Sequence, residues 1–184
     1  MNKKDKPMKM KKTLTSLLLA TVSTFALNIG EIPKEVTLSG DNGGRVDGTV
    51  WHSSMLKDKL YLLFYVDPDK KEDNEKFIEA LHAKNYDKEQ YASVAIINLK
   101  ATWLPNFAIE EKLKSKQEEF PSTIYCKDKT KYLVQEWELA DDASNVLIFD
   151  KEGKLIYEHV GKIEADEMQK IFALIEEKLN TTEG

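Results

Sequence analysis

The apolar positions of this 184-residue chain fall into short blocks with different periods. Lys59 to Val66, KLYLLFYV, is nearly all apolar, which predicts a central strand buried on both faces. Phe77 and Ile78 stand four and three residues before Leu81, so a helix follows that strand, with Asp73 and Glu75 near the positive end of its dipole. ASVAIIN, residues 92 to 98, predicts a second buried strand, and a charged helix follows from about Phe107 to Glu119, ended by Pro121. A further strand surrounds Ile124 to Cys126, and a weak helical stretch holds Val134 and Trp137. Residues 145–161, NVLIFDKEGKLIYEHVG, read as a hairpin whose two apolar strands are joined by Asp150 to Gly153. Met168, Ile171, Phe172, Ile175 and Leu179 then line one face of a last helix, a core stripe. Upstream, EVTLSGDNGGRVDGTV holds two short extended pieces around DNGG, which predicts an N-terminal β-hairpin.

In sequence these elements give a β-α-β-α-β-β-α order, an α/β fold with a mixed sheet. No internal repeat is visible, and low complexity is confined to the charged extremities.

The first residues, MNKKDKPMKMKK, carry six lysines and one aspartate, and an uncharged run from Thr13 to Ile29 follows. That is the layout of a secretory signal peptide, with the small pair Thr24 and Ala26 at the cleavage positions. A spanning helix needs about 20 predominantly apolar residues, so membrane contact is expected only transiently, through the signal peptide. We therefore expect residues 1–26 to be removed, residues 27–184 to form a single domain, and the product to reside in the periplasm. Residues 27–184 carry 21 Lys and Arg against 31 Asp and Glu. So acidic a chain, without a basic stripe, disfavours nucleic-acid partners.

Cys126 is the only cysteine and cannot pair within the chain. It stands in the alternating run STIYCKD, which predicts a buried structural thiol rather than a reactive one. His52, His82 and His159 are isolated, so zinc is not expected, and His52 beside Ser53 and Ser54 is read as a loop with satisfied polar groups. Asp67, Asp69, Glu72, Asp73 and Glu75 offer enough oxygens for a hard cation, yet they lack the spacing of a calcium loop and suit a helix start. No metal or cofactor is expected. Trp51, Trp103 and Trp137 lie near element ends, where core or rim packing accounts for most tryptophans.

The stretch LKDKLYLLFYV resembles the first buried strand of the thioredoxin and redoxin superfamily, and VLIFDKEGKLIYEHVG with its following helix resembles that superfamily's closing hairpin and helix. Within it, residues from about 31 to 180 resemble the YtfJ-like family, exported thioredoxin-fold proteins of undetermined function, through YLLFYVDPDKKEDNEKFIEALHA, ADDASNVLIFDKEGKL and EADEMQKIFALIEEKL. The resemblance implies a thioredoxin-like mixed β-sheet flanked by helices, here with the N-terminal β-hairpin as an extension. It also exposes a departure. A redox-active member carries Cys-x-x-Cys where the first buried strand meets its helix, and this chain has Asp67-Pro68-Asp69-Lys70 there. Ser144 stands where such folds place a proline before the closing hairpin. With Asp67, Lys70 and Ser144 as degenerate redox-site positions, the chain is expected to be neither a dithiol oxidoreductase nor a peroxidase.

In open α/β sheets ligands bind outside the carboxyl ends of the strands, and both FYVDPD and NLKATWLPNF lie at such ends. Consecutive parallel strands are usually neighbours, so Asp67, Pro68 and Asp69 are expected beside Trp103, Leu104 and Phe107 as one partner-binding edge. Three functions follow. The missing thiols favour a non-enzymatic binding or accessory protein whose partner is an unknown periplasmic protein or small ligand. A non-redox enzyme would use Asp67 or Asp69 as a general base or metal ligand. A partner-dependent redox protein would lend Cys126 to an intermolecular disulfide.

Overall fold

The seven residues of Leu60–Val66 form a strand because both sets of alternating side chains find an apolar neighbour. Leu60, Leu62, Phe64 and Val66 face one layer of helices, while Leu63 and Tyr65 face the opposite layer. Each such side chain contributes about 1.5–3 kcal/mol on burial, which accounts for the absence of a charged position in this run. The computed structural model describes residues 27–181. The expected signal peptide, residues 1–26, and its cleavage site lie outside the described residues.

The elements are β1 (Thr37–Leu38), β2 (Gly43–Arg45), β3 (Trp51–His52), β4 (Leu60–Val66), α1 (Glu75–Lys84), β5 (Tyr91–Asn98), α2 (Asn106–Glu119), β6 (Thr123–Asp128), α3 (Tyr132–Trp137), β7 (Ser144–Phe149), β8 (Leu155–Val160) and α4 (Ala165–Asn180). Six strands form one mixed sheet in the order β2-β6-β5-β4-β7-β8. β4, β5 and β6 run parallel, and β2, β7 and β8 pair antiparallel to their neighbours. Helices α1 and α4 cover one face through Phe77, Leu81, Ile171 and Ile175. The other face is covered by α3 and the segment that precedes β4, through Leu133, Trp137, Val36, Leu38, Trp51 and Leu56. α2 packs at the β6 side through Ile109 and Leu113, against Leu99 and Val46.

The closing hairpin is as expected. Gly153 adopts φ +82° and its N–H donates to Asp150 O at 2.9 Å, while Asp150 Oδ1 accepts from Glu152 N and Lys154 N. The stripe of α4 likewise buries Ile171 and Ile175.

The N-terminal β-hairpin expected around DNGG is not formed. β1 pairs with β3, Thr37 opposite His52, and β2 instead joins the large sheet against β6. The glycines do adopt positive φ, +134° at Gly43 and +125° at Gly44, but for close approach rather than for a two-residue turn. A Cβ on Gly43 would lie 1.9 Å from Lys127 O, and one on Gly44 2.8 Å from Thr49 O. The first helix starts at Glu75, after Asn74, consistent with the acids expected near its positive end. Asp67 to Lys70 forms its own short 3-10 turn, Pro68–Lys70.

Candidate functional site

At the carboxyl end of β4 the chain leaves the sheet through Asp67, which is 3% exposed. Its Oδ1 accepts from Asp69 N at 2.8 Å, its carbonyl accepts from Lys70 N at 2.9 Å, and its own N–H donates to Ala143 O at 3.0 Å. Pro68 has no N–H to satisfy and presets the backbone of the turn. Burial pushes the Asp67 carboxyl above its ordinary range; the Asp69 N–H opposes this, Asp69 and Asp142 add repulsion, and Lys70 counters weakly. Lys70 itself is exposed.

Ser144 is buried at the start of β7, opposite Val66. Its Oγ accepts from Asn74 Nδ2 at 2.8 Å, and Asn74 also donates to Gly161 O and accepts from Ile163 N. Asp67 and Ser144, two of the three positions expected to be degenerate redox sites, therefore meet at one end of the sheet, with their polar atoms engaged in holding the fold.

The second candidate segment adjoins the first. Thr102 Oγ1 donates to Asp69 Oδ1 at 3.1 Å, tying the residues after β5 to the turn after β4. Trp103 next to it is 85% exposed and Phe107, in the first turn of α2, is 71% exposed. Leu104 packs inward instead, against the cluster of Val46, Leu99, Ile109 and Leu113. The other two tryptophans are core: Trp51 is fully buried, and Trp137 is buried with Nε1 donating to Lys34 O.

Cys126 is fully buried within β6. Burial pushes its thiol up to about 12, against a smaller opposing pull from Arg45. A thiol so placed is neither ionised nor reachable at neutral pH. The histidines are separate: His52 Nδ1 bonds Thr37 Oγ1, His82 lies tilted against Phe120, and His159 Nε2 bonds Lys162 O. Among the described residues no three His, Cys, Asp or Glu side chains converge as metal ligands.

A polar network under this end of the sheet was not legible in the sequence. Asp128, fully buried at the end of β6, accepts from Tyr65 Oη, Thr130 N, Tyr132 N and Leu133 N. Asn98 at the end of β5 donates to Asp141 Oδ1, and Lys131 pairs with the other oxygen of Asp141 and holds that carboxyl below its ordinary range. Asn145 Oδ1 accepts from Ala140 N, and Nδ2 returns a bond to Ala140 O. The available signal was Asp128 just ahead of a short helix, the place of a side chain that satisfies first-turn N–H groups. A separate cavity of about 160 Å³ opens between Ile32, Ser53, Leu56, Trp137 and Phe149, on the face covered by α3 and the segment that precedes β4.

Thioredoxin folds are also what the chain resembles among solved structures. The pneumococcal exposed lipoprotein thioredoxin Etrx1 from Streptococcus pneumoniae strain TIGR4 superposes with a TM-score of 0.53 at 17% identity, over 78% of this chain and 99% of that one. The thioredoxin domain of a thiol-disulfide oxidoreductase from Bacteroides vulgatus gives a TM-score of 0.56 at 13% identity, over 82% and 99%. At such identities the likeness shows the fold alone. The uncharacterized protein YtfJ of Escherichia coli strain K12 is 23% identical over 133 residues, 70% of this chain and 72% of the relative. The family described as a bacterial protein of unknown function, YtfJ_HI0045, matches residues 30–178, and the chain belongs to it.

Proposed function

We propose that this protein is an exported thioredoxin-fold binding protein that has lost redox chemistry and uses the former active-site edge to dock a periplasmic partner. The observation that carries the reading is the pair Trp103 and Phe107, exposed on the segment that Thr102 fastens to Asp69. Two large apolar side chains held beside a turn that bears Asp69 suit an amphipathic or cationic partner segment. Export is supported by the basic, then apolar, N-terminal pattern. Absence of redox chemistry is supported by Asp67 and Lys70 in place of the thiols and by the burial of Cys126.

The test is site-directed crosslinking in cells, with a photoreactive residue at Asn106, between the two exposed aromatics. One discrete adduct is expected; it should vanish in a Trp103→Ala, Phe107→Ala variant and persist in Cys126→Ser. An adduct that survives removal of both aromatics would overturn the reading.

One observation favours the second reading, an enzyme of another class: Asp67 is a buried carboxyl shifted upward, as a general base is. Asp67→Asn distinguishes them, because a docking edge keeps its partner in that variant, whereas a general base loses its reaction.

A further inference from the structure

Arg45 is the single arginine among 27 basic side chains. All the ion pairs of the described residues are made by lysines. Arg45 is set in place with care: β2 lies against β6 with Arg45 opposite Cys126, the two glycines before it allow that approach, and its N–H donates to Thr49 O at 2.9 Å. Yet among the described residues its guanidinium makes no ion pair with a carboxylate, the Asp47 charge acting on it only through space. Nη2 donates to Met55 Sδ at 3.2 Å, a weak acceptor, and the neighbouring Nε is buried with no acceptor among the described residues. Asp47, two residues away, spends Oδ1 on Thr49 N and Thr49 Oγ1.

We propose that Arg45 anchors an oxyanion site on the sheet face covered by the N-terminal segment, taking a carboxylate or phosphate group in place of Met55 Sδ. Nε and Nη2 form the side of the guanidinium fork that grips two oxygens at once, a geometry lysine cannot offer. Met55 is 38% exposed, unbranched and freely rotatable, so its thioether can swing aside. A buried N–H without an acceptor is costly, and an arriving oxygen removes that cost. The site is independent of the docking edge and stands or falls without it.

A single arginine gives a single Nε–H resonance, so the purified protein reports on the site directly. Sodium acetate and inorganic phosphate are titrated separately, with sodium chloride at matched ionic strength as reference, following Arg45 Nε–H and the Met55 methyl group. Saturable displacement of both signals by at least one oxyanion is expected, and comparison of the two curves assigns the chemistry to carboxylate or phosphate. Met55→Ala should shift the Nε–H curve to lower concentration, and Arg45→Lys should abolish saturation at the Met55 methyl. Displacement that is linear and equal to that of chloride in both titrations would overturn the site, as would saturation that persists in Arg45→Lys.

Discussion

The Tyr65 hydroxyl donates to Asp128 Oδ2 at 3.1 Å, reaching over β5 to tie β4 to β6. Burial, reinforced by the Asp128 charge, pushes the phenol far up, so it stays a neutral donor at every relevant pH. Asp128 keeps three backbone donors when the phenol is removed. Tyr65→Phe should therefore cost about 1.5–3 kcal/mol, the worth of one hydrogen bond to a charged group. Asp128→Ala strands three N–H groups and the phenol together, and should cost at least twice as much. Urea unfolding measures both; a Tyr65→Phe midpoint equal to that of the parent would remove this tie from the account.

Trp103 is the one exposed tryptophan among the three, with Trp51 and Trp137 sealed in the core. Acrylamide should quench one component of the fluorescence readily and leave the rest shielded. In Trp103→Ala the quenchable component should disappear while stability changes by no more than about 0.5 kcal/mol, as for an isolated surface substitution. Retained quenching would mean that a core tryptophan is reachable.

The sheet and its helices could be read from the sequence because each element obeys one period. KLYLLFYV is nearly all apolar because β4 is flanked on both faces, and α4 shows a stripe because only Ile171, Ile175 and their row face the sheet. DNGG could not be read, since a glycine pair that turns a hairpin and one that lets a strand approach β6 look alike in sequence. The proximity of Asp69 to the Trp103 segment followed from topology, because β4 and β5 are parallel neighbours. The inward turn of Leu104 and the four bonds on Asp128 depend on the rotamers and backbone directions of residues distant in sequence, and no local pattern encodes them.

Two glycines separate steric cost from backbone cost. Gly48 adopts φ +88° with nothing within 4 Å of a Cβ, so Gly48→Ala should cost only the left-handed penalty, about 1 kcal/mol. Gly43→Ala would force a Cβ to 1.9 Å from Lys127 O and must open the pairing of β2 with β6. Its cost should be several times larger, and amide exchange should quicken at Lys127 and Lys129, which lie on the β2 side of β6, the Lys129 N–H donating to Asn42 O. Equal destabilisation by the two variants would place β2 away from β6.

Cys126 is held as a thiol by burial, with its pKa pushed up to about 12. An aromatic disulfide reagent should label it in the native protein only at the rate of unfolding, and completely in urea. Cys126→Ser should leave partner crosslinking at Asn106 unchanged. Fast labelling of the folded protein would restore the intermolecular-disulfide reading.

Asp67 gives the pH dependence its sign. Its folded-state pKa is raised by burial above the ordinary carboxylate value, 3.8. Between that value and the raised one the native state binds more proton than the unfolded chain, so this group's contribution to stability falls as pH rises through that window. Asp141 acts in the opposite sense: Lys131 lowers its pKa, and its contribution is lost as pH falls. Asp67→Asn keeps an oxygen for Asp69 N while removing the buried charge, so the variant should equal the parent at acid pH and become the more stable of the two above the window. Paired thermal melts across the acid-to-neutral range measure the difference directly. A stability difference that stays flat with pH, or a variant that is weaker at neutral pH, would show that the buried carboxylate is held by partners beyond the Asp69 amide.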